Sequence, residues 1–189
     1  MHDLRAKLRA ATADDHRRTE AGFAAFLDDL PDSYGDFLQA QAMAFPAVGQ
    51  ALARQLDWPC WAARWQDLLA DLLELGRKAP RAVTLAPATG PAEALGMAYV
   101  LEGSRLGSAM LLPRIPADLP RAYLQGGRDR APWQLLQQRL EAAGPEAELS
   151  AIAGARAAFR AFHRAAEAQS CGHRAIAAHP DLAPLESGV

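Results

Sequence analysis

The stretch Gly96-Met97-Ala98-Tyr99-Val100-Leu101-Glu102-Gly103-Ser104-Arg105-Leu106-Gly107-Ser108-Ala109-Met110 decides how this chain is read. It follows a helical pattern, yet it carries glycines at 96, 103 and 107. On a helical wheel these three fall within about 40° of one another. A glycine inside a helix costs roughly 0.5–1 kcal/mol relative to alanine, so three on one face need a reason. One reason is close packing, where the missing side chain lets two helix backbones approach. The other is a flat ligand lying directly on the backbone. From the residues alone, close packing is the more ordinary reading. Ser104 and Ser108 stand one turn apart beside this face. Their hydroxyls either hold a water network or bond the carbonyl one turn back.

Outward from this segment, helical periodicity dominates and no strand pattern competes with it. Thr89-Gly90-Pro91 opens the glycine-bearing helix, which ends near Leu112, before Pro113. Upstream, a first helix is expected from about Leu4 to Thr19, with Leu4, Leu8 and Ala11 as its apolar stripe. Asp32 or Ser33 caps a second helix carrying Tyr34, Phe37, Leu38, Phe45, Val48 and Leu52, which Pro46 should kink or split. A third spans Trp61 to Leu75 and stops at Gly76; Lys78 to Pro91 reads as a loop. Two further helices are expected near Pro132–Ala143 and Pro145–Ala168. Residues 1–172 read as one domain, and 173–189, with Pro180, Pro184 and Gly188, as a poorly ordered tail.

The bulk numbers agree with a single globular domain. The chain has 189 residues, half of them hydrophobic, enough to bury a core without disulfides or metal staples. A net charge of −2 argues against general nucleic-acid binding. No apolar run has the length of a membrane span, and the charged N-terminal stretch has no signal-peptide core, so a cytoplasmic protein is expected. Cys60 and Cys171 read as free thiols. There is no zinc spacing, phosphate loop or nucleophile elbow.

Chemistry enters with His16 and Glu20, four residues apart on one helix face. A metal-ligating histidine usually gives its other ring N–H to an acceptor, and Glu20 is placed to take it. The same spacing also describes an ordinary surface pair. Arg9 lies two turns before His16 on the same stripe, either as a solvated charge or where a cation meets a carboxylate at the edge of a bound ring. His163, beside Phe159 and Phe162, reads as a partly buried structural residue, and Trp58, Trp61 and Trp65 are spaced for core packing.

Together these segments carry a family resemblance. Leu8-Arg9-Ala10-Ala11-Thr12-Ala13-Asp14-Asp15-His16 resembles the opening of heme oxygenases, whose histidine is the proximal iron ligand. Tyr99-Val100-Leu101-Glu102-Gly103-Ser104-Arg105-Leu106-Gly107 is similar to the distal helix of bacterial members. Supporting similarity at Asp71-Leu72, Leu75-Gly76, Trp133 and Ala155-Arg156-Ala157-Ala158-Phe159 extends the resemblance over roughly residues 4 to 168. It favours the ligand reading of the glycine face.

The resemblance implies an all-α, single-domain bundle with heme between a proximal and a kinked distal helix, of the bacterial, biliverdin-producing, bacteriophytochrome-associated type. His16 would be the axial ligand of the heme iron and Glu20 its hydrogen-bond partner. Arg9 would contact a propionate, and Thr12 and Tyr99 would also bind heme. Gly103, Ser104, Gly107 and Ser108 would form the catalytic distal wall. Two departures stand out: Ser108 replaces a common second glycine, and Ser104 stands where mammalian-type relatives carry an aspartate, a serine that bacterial members often share. The implied activity is cleavage of heme b, substrate and cofactor at once, by O2 to biliverdin, carbon monoxide and iron. Electrons would come from an external ferredoxin or flavoprotein reductase, and a bacteriophytochrome apoprotein is a candidate bilin acceptor. The rival is a non-catalytic heme-binding or storage protein of the same fold. A same-fold domain acting on another small molecule is disfavoured by His16 with the glycine pair.

Overall fold

In the computed structural model, which describes residues 3–28, 30, 32–58 and 60–178 (backbone only at 60 and 172–178), helices begin where the sequence supplies caps. Asp3 opens α1 (Leu4–Ala11) by accepting the Ala6 amide on its side chain at 2.9 Å. The single first helix expected from the pattern is in fact two, because α2 (Ala13–Asp28) starts beyond a break at Thr12. Thr12 is buried at φ −112° and ψ 12°, and its hydroxyl donates back to the Leu8 carbonyl at 2.8 Å. Back-bonding of this kind bends a helix. No glycine or proline marks the site, so the apolar stripe ran through it undisturbed.

Next comes α3 (Tyr34–Ala53), which is buried on nearly every side and therefore central. Pro46 lies inside it without splitting it. Then α4 (Cys60–Glu74) ends as expected at Gly76, the sole residue with positive φ (67°) among those described. The Arg77 amide reaches the Leu72 carbonyl at 2.8 Å and the Gly76 amide reaches Leu73 at 3.0 Å, closing a paired C-terminal cap that requires the left-handed conformation at Gly76. Residues 77–88 have no regular structure but are pinned. The amides of Val83 and Ala88 donate to the Met43 and Ala51 carbonyls of α3 at 2.8 and 3.0 Å. Gln39 and Arg164 side chains donate to the carbonyls of Lys78 and Thr84.

The glycine-bearing helix is α5 (Pro91–Leu111). Proline opens it, and Glu93 accepts both the amide and the hydroxyl of Thr89, at 2.7 and 2.6 Å. A short α6 (Ala122–Gln125) follows, flanked by 3₁₀ turns at Leu112–Arg114 and Gly126–Arg128, none of them foreseen. Asp71 of α4 holds α6 in place, accepting the amides of Ala122 and Tyr123 at 3.0 Å each. The bundle is completed by α7 (Ala131–Ala142), a 3₁₀ turn at Pro145–Ala147 and α8 (Glu148–Ala178). The boundary expected at 172 thus falls inside α8, and residues 179–189 of the expected tail lie outside the described residues.

All regular structure among the described residues is helical, as expected for an all-α protein. One continuous core runs from Leu4 and Leu8 through Phe37, Phe45 and Leu101 to Ala166. The broadest helix contact is α5 on α8. Gly96 and Gly154 explain it: a Cβ at Gly96 would collide with the Ala151 carbonyl, and one at Gly154 with the Glu93 carbonyl. No helix among the described residues is long and apolar enough to cross a membrane.

Candidate active site

Beside the C-terminal half of α5 a cavity of about 720 Å³ opens between it and α1–α2. That is within the range of small-molecule and cofactor sites. Arg9, Thr12, His16, Glu20, Tyr99, Gly103, Ser104, Gly107 and Ser108 all line it. Sequence positions nearly a hundred residues apart are therefore brought round one space.

The α2 wall carries His16 and Glu20. The His16 Nδ1 lies 3.3 Å from Glu20 Oε2, and the imidazole meets the Phe159 ring edge-on at a centroid distance of 5.7 Å. A carboxylate beside Nδ1 leaves Nε2 as the ring nitrogen open to a ligand. The His16 side chain is 57% exposed, so it reaches the cavity without paying the desolvation of a core position. Among the described residues no group of three or more His, Cys, Asp or Glu could hold a bare metal ion. His163 lies elsewhere, packed under Gly22 with Nε2 3.5 Å from Glu167.

The opposite wall is α5. A Cβ built at Gly103 or at Gly107 would meet no atom within 4 Å. The glycine face therefore divides: Gly96 serves close packing, and Gly103 and Gly107 face open space. Phe23, Phe37, Val100, Leu111 and Phe162 give the cavity apolar sides. Arg9 and Tyr99 stand where it meets a smaller neighbouring cavity lined also by Arg5 and Trp133. Tyr99 and Trp133 lie 6.1 Å apart by ring centroids, and burial raises the Tyr99 phenol while Arg9 and Arg5 oppose the shift. An apolar slot with cations at one edge, a histidine on one face and bare backbone on the other fits a flat ring bearing carboxylates.

The serines make the local bonds that were the other reading of them. The Ser104 hydroxyl donates to the Leu101 carbonyl at 2.7 Å and that of Ser108 to the Ser104 carbonyl at 2.9 Å. Each also accepts from Arg64, whose Nη1 and Nη2 lie 3.1 and 2.8 Å away. Thr12 is likewise occupied, by the Leu8 carbonyl. Sequence reasoning missed Arg64 altogether, together with Gln41, a lining residue that accepts the Tyr123 hydroxyl at 2.9 Å. Beyond Arg64, α5 is held from behind by Glu102, which accepts from Trp58 Nε1 at 2.9 Å and from Arg105 Nε at 2.6 Å.

Fold and cavity together define a helical bundle built to take one flat, largely apolar molecule against a histidine. The chain belongs to the heme oxygenase family, whose sequence profile matches residues 2–168. A heme oxygenase of Xanthomonas campestris pv. campestris is 38% identical over 113 residues, covering 54% of this chain and 67% of that protein. The fold matches that of the heme oxygenase from Neisseria meningitidis, solved in NO- and CO-bound forms, with a TM-score of 0.69. That match covers 89% of this chain and 92% of the other at 23% identity, and it is a likeness of fold. The protein is thus an enzyme of heme degradation.

Proposed function

We propose that this enzyme opens heme b to biliverdin, releasing carbon monoxide and iron, with His16 holding the iron through Nε2. The observation that carries the assignment is the pairing of His16, with Glu20 3.3 Å from its Nδ1, and the bare backbone of Gly103 and Gly107 across one cavity. Heme, as substrate, supplies the redox chemistry that activates O2; the protein supplies placement. Glu20, by accepting Nδ1–H, fixes the tautomer and orientation of the His16 imidazole. Arg9, with Tyr99 beside it, receives the carboxylates at the ring edge. Phe23, Phe37 and Phe162 exclude water from the faces of the ring.

Gly103 and Gly107 allow α5 to approach the ring, and Ser104 and Ser108 set the polarity of that wall. Thr12 serves the site indirectly, by bending the chain between Arg9 and His16. Heme cleavage by O2 consumes electrons, and a ferredoxin or flavoprotein reductase is the fitting donor. A bacteriophytochrome apoprotein is a fitting acceptor for the bilin, and both partners place the reaction in the cytoplasm.

Hemin titration of the wild-type chain and of His16→Ala tests the assignment. The variant should lose the imidazole-ligated spectrum while keeping its far-UV dichroism; unchanged Soret and visible bands would mean that His16 is not the ligand. Under air with ascorbate or a reductase, the wild-type Soret band should decay as a broad red bilin band rises and carbon monoxide is released. Heme left intact by several competent reductants would make the chain a heme-holding protein instead.

A further inference from the structure

Behind the glycine wall lies a charge that the reading above leaves unused. Arg64, on α4, is 1% exposed, and its guanidinium reaches the back of α5. Besides its bonds to the two serine hydroxyls, Nη1 lies 3.4 Å from the Leu101 carbonyl and Nη2 3.5 Å from that of Ser104. The guanidinium carbon sits 4.2 Å from the Tyr123 ring centroid and 5.0 Å from that of Phe45. Arg64 forms no ion pair with a described carboxylate, and its buried Nε has no hydrogen-bond partner. The nearby Glu102 has its oxygens on Trp58 and Arg105.

Burying a cation this way is unfavourable. Burial lowers the Arg64 pKa, but a guanidinium stays protonated in a protein interior. An aliphatic side chain of similar volume would fill the same space between two aromatic rings at lower cost. Stability therefore does not account for the charge. Its position does. The two hydroxyls it grips belong to Ser104 and Ser108, which line the cavity beside Gly103 and Gly107. A hydroxyl has one proton and two lone pairs. The Ser104 hydroxyl gives its proton to the Leu101 carbonyl and one lone pair to Arg64, while that of Ser108 is held from three sides by Arg64, the Ser104 carbonyl and the Tyr123 hydroxyl. The surroundings that make the charge unfavourable also leave its field poorly screened.

We propose that Arg64 is a positioning residue acting through Ser104 and Ser108: it locks both hydroxyls and lends the glycine side of the cavity a positive potential that favours negative charge on a small ligand of the bound heme. This rests on the heme reading of the site, and the experiment separates the two. The probes are azide on the ferric hemin complex and CO on the ferrous one, each with the full chain. Arg64→Gln keeps an N–H donor but drops the charge; Arg64→Lys keeps the charge and drops the fork.

Arg64→Gln should bind azide about tenfold more weakly, the order expected for one unit charge near the ligand in an interior of effective permittivity about 20. Its hemin affinity should change little, and its C–O stretch should move to higher frequency as the positive field is lost. Arg64→Lys should keep most of the azide affinity. A purely structural residue would move neither the azide affinity relative to hemin nor the stretch. A folded Arg64→Gln with wild-type azide affinity and stretch overturns the inference, as does an Arg64→Lys that loses as much as Arg64→Gln. Should Arg64→Gln fail to fold, Ser108→Ala decides: the stretch should move the same way by less, and an unmoved stretch overturns the inference. A wild-type chain lacking a histidine-ligated hemin spectrum overturns the site reading and this inference together. A normal spectrum with charge-insensitive ligands overturns the inference alone.

Discussion

The two ends of α5 use the same residue for opposite purposes. At Gly96 the absent side chain lets α5 press its backbone against Ala151 of α8, with Gly154 answering from the other helix. About two and three turns further on, Gly103 and Gly107 face nothing within 4 Å. All three glycines lie on one narrow face and weaken the helix by similar amounts. The first is repaid in packing, in the folded protein itself. The other two leave the protein weaker than alanine would, and on the proposed function they are of use only when heme occupies the cavity. A glycine face is therefore ambiguous until its neighbours are known.

Substitutions can break this contrast. The largest effect is expected at Gly96→Ala, where the new carbon collides with backbone that has nowhere to go. Overpacking of this kind costs about 3 kcal/mol, which in a domain of this size lowers the melting temperature by roughly 6–12 °C. A variant melting like wild type would show that α5 and α8 can part without penalty. Next comes Gly107→Leu, whose side chain enters the cavity. Thermal stability without heme should be unchanged or slightly higher, while hemin affinity falls by about a hundredfold, near 2.7 kcal/mol. Normal hemin binding by this variant would mean that the ring does not lie on this wall. The smallest effect is that of Gly107→Ala, which should stabilise the heme-free protein by about 0.5–1 kcal/mol in chemical denaturation. A loss of stability there would show that the space seen beside Gly107 is not open in solution.

The sequence shows the glycine face but not its division. Local signals carried the helix ends: Gly76 after an apolar run, and Thr89-Gly90-Pro91 before another. Spacing alone put Glu20 beside His16. What stayed hidden depends on residues that meet only after folding. Arg64 reads as one charge in an amphipathic helix, because Phe45, Ser104, Ser108 and Tyr123 come to it from three other helices. The four residues of α6 are too few to show a period, and they are held by Asp71 from fifty positions upstream. The break at Thr12 turns on one hydroxyl choosing a carbonyl, which composition does not encode.

The segment 77–88 has a consequence that would be read on a gel. It offers trypsin three basic residues, Arg77, Lys78 and Arg81, in a stretch without helix. Cleavage requires the chain to lift away and lie extended in the protease. Here the backbone is tied at Lys78, Val83, Thr84 and Ala88 to partners on α3 and α8. A nick at these sites should consequently appear at a rate set by how often the strap detaches, and not by how exposed its side chains are. Arg164→Ala, which cuts the tie to Thr84, should speed that nick while leaving the bundle intact.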